Sequence, residues 1–277
     1  MKIAVLSGKG GTGKTFVSVN LTAVAPHATY IDCDAEEPNG HLFFKPEQTQ
    51  QTEVYTMIPT FDGTKCNGCR KCVDFCRFNA LAFVQGKPKV FPDVCHACGG
   101  CALVCPTGAV AEEKRGIGVV SEGLSDGIPV ISGILNTGEI SAVPVIRAAL
   151  RAGNGENTVI DSPPGSGCSV MEAVSGADYC LLVAEPTAFG FHNFRMVHKL
   201  VSLLHKPFGV VINKTNGVYA PLEEFCANHH TPILLRISYD AKIAEIAARG
   251  DIAVTLNPAF AQMFTSLWER IQEEATA

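Results

Sequence analysis

Lys2-Ile3-Ala4-Val5-Leu6-Ser7-Gly8-Lys9-Gly10-Gly11-Thr12-Gly13-Lys14-Thr15 follows the initial Met1. Ile3 to Leu6 is a short apolar run that stops at a glycine cluster, which reads as a buried parallel strand ending in a turn. Residues 14–24 then carry a helical pattern, so the glycine turn lies between a strand and a helix. Gly8-x₄-Gly13-Lys14-Thr15 in that setting is the pattern of a phosphate-binding loop. Glycines let backbone N–H groups turn toward a phosphate, and the helix that follows presents its positive end to it. Lys14 is expected to reach the β- and γ-phosphates and Thr15 to ligate Mg²⁺.

Beyond this stretch the strand and helix signals alternate. Ala28–Asp32 reads as a second strand. Further strands are expected at 128–132, 158–162, 179–184, 208–213 and 232–236. Helices are expected at 141–152, 168–176, 190–205, 219–229, 239–249 and 259–274. Such alternation predicts an α/β fold, a parallel sheet covered by helices on both faces.

The stretch 63–113 breaks the rhythm. It holds eight of the twelve cysteines, as Cys66-x₂-Cys69-x₂-Cys72-x₃-Cys76 and Cys95-x₂-Cys98-x₂-Cys101-x₃-Cys105-Pro106. This internal repeat marks a small inserted domain, with 1–62 and 114–277 forming the discontinuous domain around it. Zinc sites use Cys-x₂-Cys pairs separated by a longer gap, unlike these runs of four. The spacing resembles the bacterial two-cluster ferredoxin run, in which the fourth cysteine of each motif ligates the other cluster. That resemblance implies one [4Fe–4S] cluster on Cys66, Cys69, Cys72 and Cys105, and a second on Cys95, Cys98, Cys101 and Cys76. Arg77 departs from it, standing where the second motif has Pro106.

Three further features carry a resemblance in the rest of the chain. The early Lys9 makes Lys9-Gly10-Gly11-Thr12-Gly13-Lys14-Thr15 similar to the deviant loop of the MinD/ParA ATPases, a group that includes the nitrogenase iron protein and the Mrp-type iron–sulfur carriers. Asp32-Cys33-Asp34 resembles that family's first switch, and Thr158-Val159-Ile160-Asp161-Ser162-Pro163-Pro164-Gly165 its Walker B strand and second switch. The resemblance implies that Lys9 reaches a partner's nucleotide across a dimer and that Asp34 orients the attacking water. It also implies that Asp161 acts on Mg²⁺ and that the Gly165 N–H faces the γ-phosphate. Asn213-Lys214-Thr215-Asn216 lacks the aspartate that guanine recognition uses, and in the resembled family the first asparagine, Asn213, contacts adenine. The expected cofactors are therefore ATP, Mg²⁺ and two [4Fe–4S] clusters.

Composition bounds the rest. The net charge of −5 argues against a nucleic-acid surface spread over the molecule. Within 63–113, six Lys/Arg (65, 70, 71, 77, 87, 89) face four Asp/Glu (74, 93, 112, 113), giving +2 there and −7 elsewhere. That asymmetry suggests an acidic redox protein as partner. No apolar run approaches the roughly 20 residues of a membrane span, so a cytoplasmic location is expected with no membrane contact. A homodimer, or a heterodimer with a paralogue, follows from the resemblance. The expected function is ATP hydrolysis coupled to electron transfer through the clusters, with an Mrp-type cluster carrier as the alternative.

Overall fold

The computed structural model describes residues 1–276. The strands are β1 (Lys2–Leu6), β2 (Ala28–Asp32), β3 (Glu47–Phe61), β4 (Leu81–Val84), β5 (Lys87–Val90), β6 (Val110–Ser125), β7 (Ile128–Leu135), β8 (Asn157–Asp161), β9 (Tyr179–Ala184), β10 (Phe208–Thr215) and β11 (Ile233–Ser238). The helices are α1 (Lys14–Val24), α2 (Gly40–Phe44), α3 (Lys71–Phe75), α4 (Gly100–Val104), α5 (Val143–Ala152), α6 (Cys168–Ser175), α7 (Ala188–Leu203), α8 (Ala220–Asn228), α9 (Ala241–Ala248), α10 (Ala253–Leu256) and α11 (Pro258–Thr276).

Among the described residues nine strands form one sheet in the order β11-β10-β9-β1-β8-β2-β7-β6-β3, and β4 pairs with β5 apart from it. The strands from β11 to β7 run parallel. Strand β1 lies in the interior because Ile3, Val5, Ala4 and Leu6 are all wholly buried. Ile3 and Val5 pack on one face with Phe16 and Leu21 of α1 and Phe264, Trp268 and Ile271 of α11. Ala4 and Leu6 pack on the other with Val145 and Ile146 of α5, Val174 of α6 and Phe194 of α7. A strand buried on both faces has no polar alternation, which explains its continuous apolar run.

The expected parallel sheet is extended at one edge by an antiparallel ribbon absent from the sequence reading. Strand β6 runs antiparallel to both β7 and β3, and β3 forms the edge. The ribbon pairs Phe61 with Val110 at its tip, where the Asp62 N–H donates to the Ala109 carbonyl at 2.8 Å. The cysteine-rich stretch is the connection at that tip.

This connection has an internal two-fold logic with an offset of 29 residues, as from Cys66 to Cys95. Helix α3 maps onto α4. The left-handed residues Gly68, Arg70 and Asn79 map onto Ala97, Gly99 and Gly108. The hairpin pairs Leu81–Val90 and Val84–Lys87 map onto the ribbon pairs Val110–Phe61 and Glu113–Ile58. The repeat therefore includes the last turn of ladder in the main sheet. One further link ties the connection to the body. Arg115 on β6 meets Asp93 of the connection at 2.9 Å and Glu139, in the loop after β7, at 2.7 Å.

Candidate functional site

The parallel order puts the carboxyl ends of β1, β8 and β2 side by side, with Val5 opposite Asp161 and Asp161 opposite Asp32. Gly8 to Thr15 leaves β1 at this rim and enters α1. Lys14 is buried there, and its Nζ lies 2.6 Å from Asp161 Oδ1 and 3.8 Å from Asp34 Oδ2. The structure thus brings together Lys14, Asp34 and Asp161, residues that lie far apart in the chain. Burial pulls the Lys14 ammonium down, but the charge and hydrogen bond of Asp161 outweigh it and leave its pKa raised. Burial pushes Asp34 up to about 6 against the pull of Lys14. Burial and the neighbouring charge of Asp161 also raise Asp32. Three carboxylates around one ammonium leave a deficit of positive charge, which suits a divalent cation bound with phosphate.

Each carboxylate is oriented by neighbours. Asp161 accepts from the Ser18 hydroxyl at 3.1 Å and from the Tyr30 hydroxyl at 3.0 Å. Asp32 accepts from the backbone N–H groups of Asp34, Asn39 and Gly40 at 3.1, 2.9 and 2.8 Å, and so fixes the loop that carries Asp34. Ser18 and Tyr30 carry no sequence signal as site residues, and Asp32 is legible only as part of the first-switch motif. Tyr30 sits in an apolar strand, where an aromatic reads as core.

The loop glycines differ in what they do. Gly11 and Gly13 hold φ of 75° and 93°, which only glycine adopts freely. A Cβ on Gly8 would meet the Asn193 carbonyl oxygen of α7 at 2.3 Å, whereas one on Gly10 would meet nothing within 4 Å. Thr12 is buried, and its carbonyl accepts from the Asn213 amide at 2.7 Å. The Lys214 ammonium donates to the Gly11 carbonyl at 2.6 Å. The end of β10 therefore braces the loop. Thr15, Asn213, Tyr239 and Ile243 line the same cavity as the loop and Asp34. Lys9 pairs with Glu185 at 2.5 Å and lies 5.6 Å from the Phe189 ring centroid. The Gly165 N–H donates to the Ser7 carbonyl at 2.9 Å.

The cysteines gather round two cavities. One is lined by Cys66, Cys69, Cys72 and Cys105, and the other by Cys76, Cys95, Cys98 and Cys101. Each ring draws three thiols from one motif and the fourth from the other. The Cys76 sulfur accepts from the Ala80 N–H at 3.4 Å, and the Cys105 sulfur from the Ala109 N–H at 3.3 Å, at matching places in the repeat. Burial, then crowding by Cys76 and the other thiols, pushes Cys101 up to about 11. A cationic centre is what such thiols need in order to ionise. Among the described residues no three His, Cys, Asp or Glu side chains close on one point as around a single ion. The remaining cysteines are separate: Cys33, Cys180 and Cys226 are buried, and Cys168 is exposed at the start of α6.

Comparison with known proteins agrees with this architecture. The profile of the CobQ/CobB/MinD/ParA nucleotide binding domain matches residues 3–254. An uncharacterized protein of Methanocaldococcus jannaschii is 29% identical over 281 residues, 99% of this chain and 97% of its own. An uncharacterized ferredoxin of the same organism is 42% identical over 62 residues, 21% of this chain and all of its own. An iron-sulfur cluster carrier protein of Pyrococcus horikoshii is 24% identical over 228 residues, 79% of this chain and 63% of its own. The solved structure of the cell division ATPase MinD of Pyrococcus furiosus shares the fold, with a TM-score of 0.60 at 19% identity and 98% of both chains covered. The chain belongs to the CobQ/CobB/MinD/ParA nucleotide-binding family.

Proposed function

We propose that this member of the family hydrolyses Mg-ATP and couples the accompanying rearrangement to electron transfer through two [4Fe–4S] clusters in the inserted domain. The observation that carries the reading is the pair of interlocked four-thiol rings at the tip of a ribbon continuous with the sheet that holds the phosphate-binding loop. When bound, the clusters supply one-electron chemistry. Cys66, Cys69, Cys72 and Cys105 would hold one, and Cys95, Cys98, Cys101 and Cys76 the other.

At the nucleotide, Gly8 to Thr15 wrap the phosphates and Lys14 and Lys9 supply positive charge, with Lys9 acting across a dimer. Thr15 and Asp161 would hold Mg²⁺, Asp34 would orient water, the Gly165 N–H would meet the terminal phosphate, and Asn213 would face adenine. In the structure Lys14 is held by Asp161, Lys9 by Glu185 and the Gly165 N–H by Ser7. Nucleotide binding would exchange all three contacts. Those exchanges are the motions that would be passed to a second copy, or a paralogue, and to an acidic redox protein.

Anaerobic purification tests the reading. About eight irons per chain with matching sulfide are expected, together with ATP hydrolysis and a difference in cluster reoxidation rate between ATP and ADP. Stoichiometric zinc without sulfide, or hydrolysis absent from the iron-loaded protein, overturns it. The carrier reading has one observation in its favour, the relative named an iron-sulfur cluster carrier protein. Against it, the chain offers no Cys-x₂-Cys outside the two motifs. Transfer of iron and sulfide to an apo-ferredoxin would favour the carrier.

A further inference from the structure

Tyr30 is wholly buried on β2, two residues before Asp32, and its side chain lies with Val19, Phe44 and Val130. A tyrosine in such a cluster needs a partner for its hydroxyl, and here the partner is a carboxylate. The O–H donates to Asp161 Oδ2 at 3.0 Å. The ring cannot swing away. Phe44 packs on it with centroids 4.9 Å apart, and a Cβ on Gly40 would fall 2.1 Å from its Cε1. The other oxygen of Asp161, Oδ1, faces the phosphate-binding loop, where Lys14 and Ser18 reach it at 2.6 and 3.1 Å.

These two sides of one carboxylate differ in permanence. Lys14 is the residue that phosphate draws away. The Ser18 hydroxyl has a competing acceptor in the Lys14 carbonyl at 2.9 Å. Among the described residues Tyr30 has no other hydrogen-bond acceptor, and Tyr30 and Asp161 stand on paired strands.

We infer that Tyr30 is a positioning residue for the nucleotide-bound cation: its hydroxyl pins Asp161 Oδ2, so that Oδ1 stays aimed at the phosphate-binding loop once Lys14 has turned to the phosphates. The inference rests on the proposed role of Asp161 at Mg²⁺.

The test is the Mg²⁺ dependence of binding of a fluorescent ADP analogue to the full, iron-loaded chain. The wild type, Tyr30→Phe and Phe44→Leu are compared, with an arm in EDTA. A hydrogen bond to a charged group is worth enough to move the half-saturating Mg²⁺ concentration about tenfold when lost. Tyr30→Phe is therefore expected to raise that concentration about tenfold while changing nucleotide affinity in EDTA less than twofold. Phe44→Leu, which disturbs the same packing without touching the hydroxyl, is expected to lower the melting temperature and leave the Mg²⁺ titration in place.

An unchanged titration in Tyr30→Phe, beside a normal Mg²⁺ response in the wild type, overturns the role of Tyr30 alone. Equal shifts in Tyr30→Phe and Phe44→Leu reduce it to packing and overturn it too. A Tyr30→Phe chain unfolded at the assay temperature has the same consequence, since a positioning bond leaves the fold standing. Binding in the wild type that ignores Mg²⁺ overturns the reading of Asp161, and with it this one.

Discussion

Arg115→Met removes both hydrogen-bonding arms of the residue that joins the cysteine-rich connection to the nucleotide-binding body, while keeping most of its apolar stem. The arms are unequal. Glu139 is a partly buried partner, 10% exposed in its side chain, and its contact with Arg115 is 2.7 Å long. Asp93 is 85% exposed. Leaving the Glu139 carboxylate without its cation costs about 2–3 kcal/mol, near the low end for broken buried pairs. The Asp93 arm, screened by water, contributes ~0.2–1 kcal/mol. Arg115→Met is therefore expected to lower the midpoint of thermal unfolding by about 4–16 °C, using ~2–4 °C per kcal/mol for a chain of this size. Asp93→Ala should lower it by no more than about 4 °C on the same scale. Raising the salt concentration should erase the Asp93→Ala effect and spare most of the Arg115→Met effect. Scanning calorimetry of anaerobic, iron-loaded protein at two salt concentrations reads all three numbers. If Asp93→Ala destabilises as much as Arg115→Met, Glu139 is not the anchor and the reasoning fails.

Gly8→Ala should destabilise the fold, because its Cβ meets the backbone of α7, whereas Gly10→Ala should leave the melting temperature within about 1 °C. Equal melting curves would refute the packing role of Gly8. Lys14→Ala is expected to abolish ATP hydrolysis and weaken nucleotide binding, while Asp34→Ala keeps nucleotide bound but uncleaved. Equal loss of binding in the two, measured by equilibrium dialysis, contradicts the roles. Because burial pushes Asp34 up to about 6, kcat/KM should fall as pH drops through about 6, as its carboxylate takes up the proton. An acid limb near pH 4 would show that Asp34 does not govern it. Cys168, exposed at the start of α6, should react with a thiol reagent at different rates in ATP and ADP, and Cys168→Ser should leave the iron content unchanged. Identical labelling rates would deny it any link to the second switch.

The parts legible in the sequence are those whose physics is local. Residues 179–184, Tyr-Cys-Leu-Leu-Val-Ala, form β9 over that whole span because a strand buried on both faces writes a continuous apolar run. The 14–24 pattern is α1 to the residue, since the loop before it fixes the start and Pro26 follows its end. The ribbon was not legible. Gln48-Thr49-Gln50-Gln51-Thr52 on β3 is exposed and lacks alternation, and its partner strand lies beyond the whole cysteine-rich stretch. Pro59 within β3 is tolerated because β3 is the edge strand.

The site divides the same way. Lys14, Asp34 and Asp161 belong to motifs whose spacing betrays them, and the structure brings all three together. Tyr30 and Glu185 act through contacts with distant residues and carry no local pattern. Asp32 was legible as part of a motif, but its hold on the Asn39 and Gly40 N–H groups needed the loop to be folded.

The shared ladder at the tip of the ribbon makes host and guest unequal. Phe61 and Val110 are direct partners, so the chain departs from the sheet and returns to it at neighbouring points about 5 Å apart. A short hairpin turn would bridge that gap, and the nine-stranded sheet would close without its passenger. The passenger has no such freedom. Ile58–Phe61 and Val110–Glu113 are the counterparts of β5 and β4 in its own two-fold repeat, so half of its symmetry is built from the host's strands. Cut out at 62–109, it would leave that half behind. The two-fold repeat of the connection is therefore complete only with those two stretches of the main sheet attached.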